Sequence, residues 1–505
     1  MVKLNPFPLH DADSVHEEVV RDEGAEEKSK WQKVWPVFAC GAGLFSDGYL
    51  NAVIGQVGVM LSTIYPDEYT GSKAQSNVSS IAFAGTVVGQ LAFGYVADHY
   101  TRKLAMTISA VILIVFAALC TGSYGAGGSV DGLFTMLVVC RFFLGIGIGG
   151  EYPAGSVAAA EATGEVKKGT RNRWFILFTN FSIDVGFVVA AFVPLVWLWI
   201  LGTERHDLMI NWRVSLGLGI LPPFTLLFLR LRLQEPEQTK KNSMANTKTP
   251  YWLVIKYYWW RLTLVSLIWF IYDFAVYSAG IYSATIMAQV AGDGNMITAF
   301  GWNVVVNLFY IPGSFLGCFV SDWIGPRYCL ILGLLQSITG FLLSGFYGTL
   351  ATPQYIGAFV VVYGLFLSFG ELGPGDNIGL LASKTSATAI RGQYYGIAAA
   401  VGKIGAFVGT YVFPIIIRNS GGSDTVRGNQ APFWVSSSLC VLSAGLAMLL
   451  PHVGQDTIQK EDRMFREYLE RNGWDVSRLG LEKEEIVTVE SGSGGSGSRH
   501  TPAEK

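Results

Sequence analysis

Gly94-Tyr95-Val96-Ala97-Asp98, with the basic pair Arg102-Lys103 just after it, closes one long apolar run. Gly317-Cys318-Phe319-Val320-Ser321-Asp322, with Gly325 and Arg327 just after it, closes another in the second half of the chain. In such a phrase a small residue lets two helices touch, the aspartate can cap or pair at a helix end, and the basic residues hold one membrane face. A polar turn with basic residues can arise by chance once. Its return at the corresponding place in the other half points to an internal repeat.

Working outward, the 505 residues are 51% hydrophobic and only 15% charged, with a mean hydropathy of +0.38. That surplus of apolar surface suits lipid, and 59 glycines scattered through apolar runs suit closely packed membrane helices. A hydrocarbon slab about 30 Å thick takes roughly 20 helical residues to cross. Twelve runs of that order lie near residues 34–62, 78–97, 103–123, 132–158, 172–200, 211–230, 261–289, 298–320, 327–349, 353–382, 392–417 and 430–450. The expected fold is an all-α membrane protein of twelve transmembrane helices in two six-helix halves. The divisions are an N-terminal tail (1–33), a first bundle (34–230), a polar linker (231–260), a second bundle (261–450) and a C-terminal tail (451–505).

Basic residues set the orientation. Segments after even-numbered helices hold Arg102, Lys103, Lys167, Lys168, Arg171, Arg173, Arg230, Arg232, Lys240, Lys241, Lys248, Lys256, Arg261, Arg327, Lys384 and Arg391. Those after odd-numbered helices hold only Lys73, Arg205, Arg213, Arg418 and Arg427, which places both tails in the cytosol. No secretory signal is expected, because the first thirty residues are acidic, from Asp11 to Glu27. A net charge of -2 argues against a nucleic-acid partner. The six cysteines fall singly in apolar segments, so neither a disulfide framework nor a metal or cofactor site is expected.

The chemistry lies in charges placed where a membrane should forbid them. Asp47 falls in the first run, Glu151 in the fourth, Asp184 in the fifth, Asp273 in the seventh, Glu371 and Asp376 in the tenth and Lys403 in the eleventh. Each costs several kcal/mol unless it is paired or faces a cavity, so together they imply a wet central cavity. Trp269, Asp273 and Tyr277 are four residues apart and share one helical stripe over roughly 12 Å. Aromatics at that spacing ordinarily serve packing, but the aspartate between them favours a site: indole and phenol donate to phosphate oxygens while the carboxylate holds a proton. Gly145, Gly147 and Gly150 spell G-x-G-x-x-G, yet no strand precedes them, so they are read as helix-contact glycines. Beside them Tyr152 is a phosphate donor and Glu151 a proton carrier, or else a glutamate snorkelling to water. Lys403, alone among Gly402, Ile404 and Gly405, must find an anion, either a carboxylate such as Asp47 or Asp376 or the substrate.

The paired Gly-x-x-x-Asp and Arg-Lys phrase resembles the signature of the major facilitator superfamily, and the likeness spans residues 30–460. Gly43-Leu44-Phe45-Ser46-Asp47-Gly48-Tyr49, Gly145 through Glu151-Tyr152-Pro153, and Gly402-Lys403-Ile404-Gly405 resemble its phosphate:proton symporter branch, as do Trp269, Asp273 and Tyr277. Gly373-Pro374-Gly375-Asp376 and Ala387-Thr388-Ala389-Ile390-Arg391-Gly392 extend the resemblance to fungal glycerophosphodiester permeases. It implies proton-coupled import of glycerophosphoinositol or glycerophosphocholine through the plasma membrane by a monomer. Residues and resemblance together give Tyr152, Asn180, Trp269, Asp273, Tyr277, Asp376 and Lys403 as substrate contacts. Asp47, Glu151 and Asp273 are the proton-coupling candidates, and Gly94, Asp98, Arg102, Lys103, Asp322, Arg327 and Arg391 the gating signature.

Departures from the inorganic phosphate carriers bear on the substrate. Leu50 stands where some of them carry a second acid, and Gly375 where they carry an asparagine, which makes room for a larger substituent. Asp184, Glu371 and Asp376 then either contact inositol hydroxyls or a choline cation, or form buried structural pairs. Inorganic phosphate symport and a nontransporting nutrient receptor on the same fold remain as alternatives. A membrane enzyme is disfavoured, since neither H-E-x-x-H nor G-x-S-x-G occurs. Asn77-Val78-Ser79 fits a glycosylation sequon, though its closeness to the second apolar run hinders its use; residues 455–474 suggest an amphipathic helix, and Ser491 to Ser498 read as a flexible tail.

Overall fold

The computed structural model describes residues 30–70, 72–231, 244, 247–292 and 294–479. The acidic tail before residue 30, the linker residues 232–243 and the Ser491 to Ser498 run lie outside the described residues. The first half holds α1 (Val34–Ile64), α2 (Lys73–His99), α3 (Arg102–Thr121), α4 (Val130–Ala162), α5 (Arg171–Leu201) and α6 (Arg205–Leu231). The second holds α7 (Tyr251–Ala291), α8 (Met296–Ile324), α9 (Pro326–Gly345), α10 (Pro353–Lys384), α11 (Thr388–Asn419) and α12 (Val426–Ala447). A final helix, α13 (Thr457–Arg471), follows them. Helices α1 to α11 are each long and apolar enough to cross a membrane. The 22 residues of α12 are also long enough, but Arg427, Asn429, Gln430 and Ser436 to Ser438 make it more polar, and it packs between α7, α9 and α11.

Two boundaries differ from expectation. The last ten residues of the expected linker belong to α7, because Tyr251-Trp252-Leu253-Val254-Ile255 is apolar and continues the helix; Trp252, Trp259 and Trp260 project outward there as interfacial aromatics do. The expected C-terminal tail contains α13, whose Phe465 and Leu469 are buried against the bundle.

The halves meet along α2 with α11, α5 with α8, and α1 with α7. Within the first half, α2 and α4 lie backbone to backbone. A Cβ on Gly85 would sit 1.9 Å from the Phe142 carbonyl oxygen, and one on Gly145 would sit 2.0 Å from that of Ala82. The glycines that mimic a dinucleotide motif are therefore contact points between helices. In each half one helix breaks its ladder in a wide, π-type turn, Tyr152–Ser156 in α4 and Glu371–Gly375 in α10. Pro153 and Pro374 sit in these turns, where a residue with no N–H opens the ladder. Such turns re-aim the side chains beside them, and both border the central cavity.

Candidate functional site

Helix α11 reaches α7 across glycines. A Cβ on Gly405 would sit 2.1 Å from the Phe270 carbonyl oxygen, and one on Gly402 would sit 2.5 Å from Cδ1 of Trp269. This contact delivers Lys403 to the cavity. Its Nζ donates to Asp273 Oδ2 at 3.1 Å and lies 3.8 Å from the ring centroid of Tyr277 and 5.0 Å from that of Tyr152, so two aromatic faces flank the ammonium. The Tyr152 hydroxyl donates to Asp47 Oδ2 and lies 3.3 Å from the Tyr277 hydroxyl; Asn51 donates to Asp47 Oδ1 at 2.5 Å. The Trp269 ring is tilted toward Tyr152 at 6.5 Å. Asp47, Asp273 and Lys403 are each only 1% exposed.

The other wall is acidic. Asn180 of α5 donates to Glu371 Oε2 at 2.9 Å and Asp376 Oδ1 at 2.8 Å, while the Tyr272 hydroxyl donates to Glu371 Oε1 at 2.7 Å. Asp184, one turn beyond Asn180, completes it. The cavity between these walls is lined by Tyr152, Asn180, Trp269, Asp273, Tyr277, Asp376 and Lys403 together with Asp184, Tyr272 and Glu371. Asp47 joins it through Tyr152.

Glu151 is placed elsewhere. It accepts from Arg230 Nη1 at 2.7 Å and Nη2 at 2.5 Å and from the Ser109 hydroxyl at 2.7 Å, a bidentate ion pair inside the first half. The next residue, Tyr152, is rotated by about a quarter turn and faces the cavity; Glu151 faces α3 and α6. The space beside Gly375 is also taken: a Cβ there would sit 2.1 Å from Glu371 Oε2 and 2.5 Å from the Tyr272 hydroxyl. The glycine makes room for the protein's own acidic wall.

Of the signature residues, Gly94, Asp98, Arg102, Asp322 and Arg391 form the junction of the halves on the basic face, while Lys103 and Arg327 tie helices within each half. Asp98 accepts from Arg102 at 2.6 Å and from the backbone N–H groups of Gly392 and Gln393 at 2.8 and 2.7 Å, capping the start of α11. Its counterpart Asp322 accepts from the Arg173 N–H at 3.3 Å near the start of α5. Lys103 donates to the Leu231 carbonyl at the end of α6, and Arg327 to the Met448 carbonyl after α12. Gly94 lets α2 approach α11: a Cβ there would sit 2.7 Å from the Gly392 carbonyl oxygen. Arg102 and Arg391 converge on Glu161 Oε1 at 3.2 and 3.0 Å, and Arg391 also faces Asp462 of α13 at 3.8 Å.

Glu161, Arg230 and Tyr272 are central to this geometry and are not among the site candidates read from sequence, where Arg230 counts only as a basic loop residue. For Glu161 a signal exists, an acid at the end of the apolar run Val157-Ala158-Ala159-Ala160. Tyr272 is one of 22 tyrosines and carries none.

The model of the Major Facilitator Superfamily matches residues 40–410. The chain belongs to that superfamily. Among this facilitator's relatives, the glycerophosphocholine permease GIT4 of Candida albicans is 52% identical over 92% of this chain and 88% of its own length. The major glycerophosphoinositol permease GIT3 of the same yeast is 51% identical over 93% of this chain and 88% of its own length. The glycerophosphoinositol transporter 1 of Saccharomyces cerevisiae is 32% identical over 90% and 86%. The solved structure of the proton:xylose symporter XylE bound to 6-bromo-6-deoxy-D-glucose superposes with a TM-score of 0.71 at 17% identity, covering 86% of this chain and all of that one. This facilitator is therefore a multi-pass membrane transporter with the major facilitator fold, and it is not an enzyme.

Proposed function

We propose that this facilitator imports glycerophosphodiesters together with protons across the plasma membrane, with the basic face and both tails in the cytosol. The observation that carries the reading is the arrangement around Lys403. One ammonium, two phenolic hydroxyls and an indole converge on the cavity, where Lys403 donates to Asp273 and the Tyr152 hydroxyl to Asp47. A phosphodiester anion competes for those same donors. When it takes Lys403 and the Tyr152 hydroxyl, Asp273 loses its ammonium and Asp47 keeps only the Asn51 amide, in a buried site next to a new negative charge. Like charge disfavours their ionised forms, so each takes up a proton as the anion binds. The neutralised site then rocks between the two faces as one half moves against the other. Glu151, held by Arg230, serves the first half as a structural ion pair, leaving Asp47 and Asp273 as the coupling carboxylates.

The substrate class rests on the relatives named for glycerophosphocholine and glycerophosphoinositol, and on a cavity with a second polar wall beyond the phosphate donors. The test is uptake of labelled glycerophosphocholine, glycerophosphoinositol and inorganic phosphate at acid and neutral pH in cells without their own carriers. Acid-stimulated uptake of a glycerophosphodiester, with phosphate a poor competitor, is expected, and Asp273→Asn should abolish the stimulation. Preferred uptake of phosphate, or uptake indifferent to pH, would overturn the reading.

A further inference from the structure

The donors around Lys403 account for a phosphate group and leave the opposite wall of the cavity unused. Asp184, Glu371 and Asp376 stand there, each no more than 2% exposed. Neither oxygen of Asp184 has a partner at hydrogen-bond geometry among the described residues; the nearby Ser314 hydroxyl donates to the Tyr310 carbonyl instead. Asp376 Oδ2 is likewise without a partner. Asn180 and Tyr272 donate to the remaining oxygens, but neither carries charge. Lys403 is the one cation among the described residues lining the cavity, and it is engaged by Asp273. Elsewhere in this protein buried carboxylates face a guanidinium, as Glu151 faces Arg230 and Glu161 faces Arg102 and Arg391.

We propose that this wall is a head-group subsite for a cationic substituent, a quaternary ammonium carried on the phosphodiester, so that the preferred substrate is a zwitterion. The proposal rests on the reading of the Lys403 wall as the phosphate site. Charge decides between head groups. A neutral polyol can hydrogen-bond to three carboxyl groups but leaves their like charge to be relieved by protons, whereas a cation is attracted by the ionised forms and favours them. The surroundings suit a cation with no N–H of its own, which is held by charge and by ring faces. Phe187 and Tyr272 line the cavity here, and Phe187 packs on Tyr310 with ring centroids 5.0 Å apart. The two walls are also close enough for one small molecule. Tyr272 and Asp273 are consecutive on α7, one bonded to Glu371 and the other to Lys403, so phosphate and ammonium can be engaged at the same time.

Competition in the wild-type protein gives the first test: labelled glycerophosphocholine uptake challenged with unlabelled glycerophosphocholine, glycerophosphoethanolamine and glycerophosphoinositol. Glycerophosphocholine should half-inhibit at a concentration at least about tenfold below the inositol diester, with the ethanolamine diester between them. Equal or better inhibition by glycerophosphoinositol would overturn the proposal while leaving glycerophosphodiester transport intact. If only inorganic phosphate is carried, the underlying reading fails instead. Asp184→Asn and Glu371→Gln supply the second test, on protein shown by surface labelling to reach the membrane. Each should raise the KM for glycerophosphocholine about tenfold or more and change that for glycerophosphoinositol less than about twofold. A parallel loss for both diesters would mean a structural role and would also overturn it.

Discussion

The basic-face junction and the central cavity are built from the same residue types and treat charge in opposite ways. At the junction Asp98 has Arg102 and two backbone N–H groups, Glu161 has two guanidiniums, and Asp322 has Arg173. In the cavity five carboxylates share one lysine among the described lining and coupled residues, and neither oxygen of Asp184 has a partner at hydrogen-bond geometry among the described residues. A paired buried charge is a fastener, since removing either partner strands the other. A buried carboxylate kept short of cations is poised for something that arrives, whether a proton or a cationic group. The difference separates structural from working ionisable residues in this bundle more sharply than burial does, because both sets are buried.

The strongest way to break that comparison is at Lys403. Lys403→Ala should reduce uptake by about 100-fold or more, because it removes the one cation among the described lining residues that offsets the phosphate charge; that factor corresponds to about 3 kcal/mol of substrate binding. The protein should still reach the membrane, because α7 and α11 hold together through Gly402 and Gly405. Lys403→Arg keeps the charge and should recover part of the rate. If the alanine variant carries substrate normally, the Lys403–Asp273 pair is one more fastener and the distinction fails.

At the junction the prediction has the opposite profile. Glu161→Gln leaves Arg102 and Arg391 facing each other across a neutral amide. It should cost about 3 kcal/mol, seen as a fall of several degrees in the melting temperature of the detergent-extracted protein. The KM of the molecules that remain folded should stay within about twofold. A variant of normal stability and weakened binding would place Glu161 among the working carboxylates.

Much of this arrangement is legible in the sequence, because spacing and intramembrane charge carry it. Trp269, Asp273 and Tyr277 repeat at four residues and do line one wall, and the doubled Gly-x-x-x-Asp phrase does mark equivalent junctions. What is harder to read is rotation. Glu151 and Tyr152 are neighbours in sequence but point to different surroundings, and the wide turn that begins at Tyr152 interrupts the regular spacing from which the cavity-facing side could be read. Arg230 reads as one of many basic residues near the loops until a partner 79 residues away is placed against it. Gly375 shows the same limit: a missing side chain suggests space for substrate, and only the fold shows that Glu371 and Tyr272 occupy it.

A smaller effect sharpens the comparison at its edge, where α13 closes over the junction. Phe465 packs on Tyr257 and Tyr258 with centroids 5.7 and 5.4 Å apart, and Glu461 accepts from the Tyr258 hydroxyl at 2.9 Å and from Arg261 at 3.0 Å. Asp462 accepts from the Thr388 N–H at 2.6 Å, and just before the helix Asp456 accepts from Arg171 of α5 at 2.7 Å. One short segment thus bridges the two halves. Phe465→Ala should cost about 3 kcal/mol of docking, read as faster hydrogen exchange across 457–471 and a raised labelling rate at a cysteine introduced at Thr388. Docking should also respond weakly to pH. Burial pushes the Glu461 carboxyl above its ordinary range while Arg261 pulls the other way. A group whose pKa is higher docked than undocked favours docking fully below the undocked value and loses that contribution as pH rises through the docked one. Exchange of α13, corrected for its intrinsic pH dependence, should therefore be slower near pH 4 than near pH 7, and Glu461→Gln should flatten the difference. An unchanged difference in that variant would mean that Glu461 is held by Arg261 as firmly as Glu151 is by Arg230, and would move α13 from the part of the molecule that works to the part that fastens.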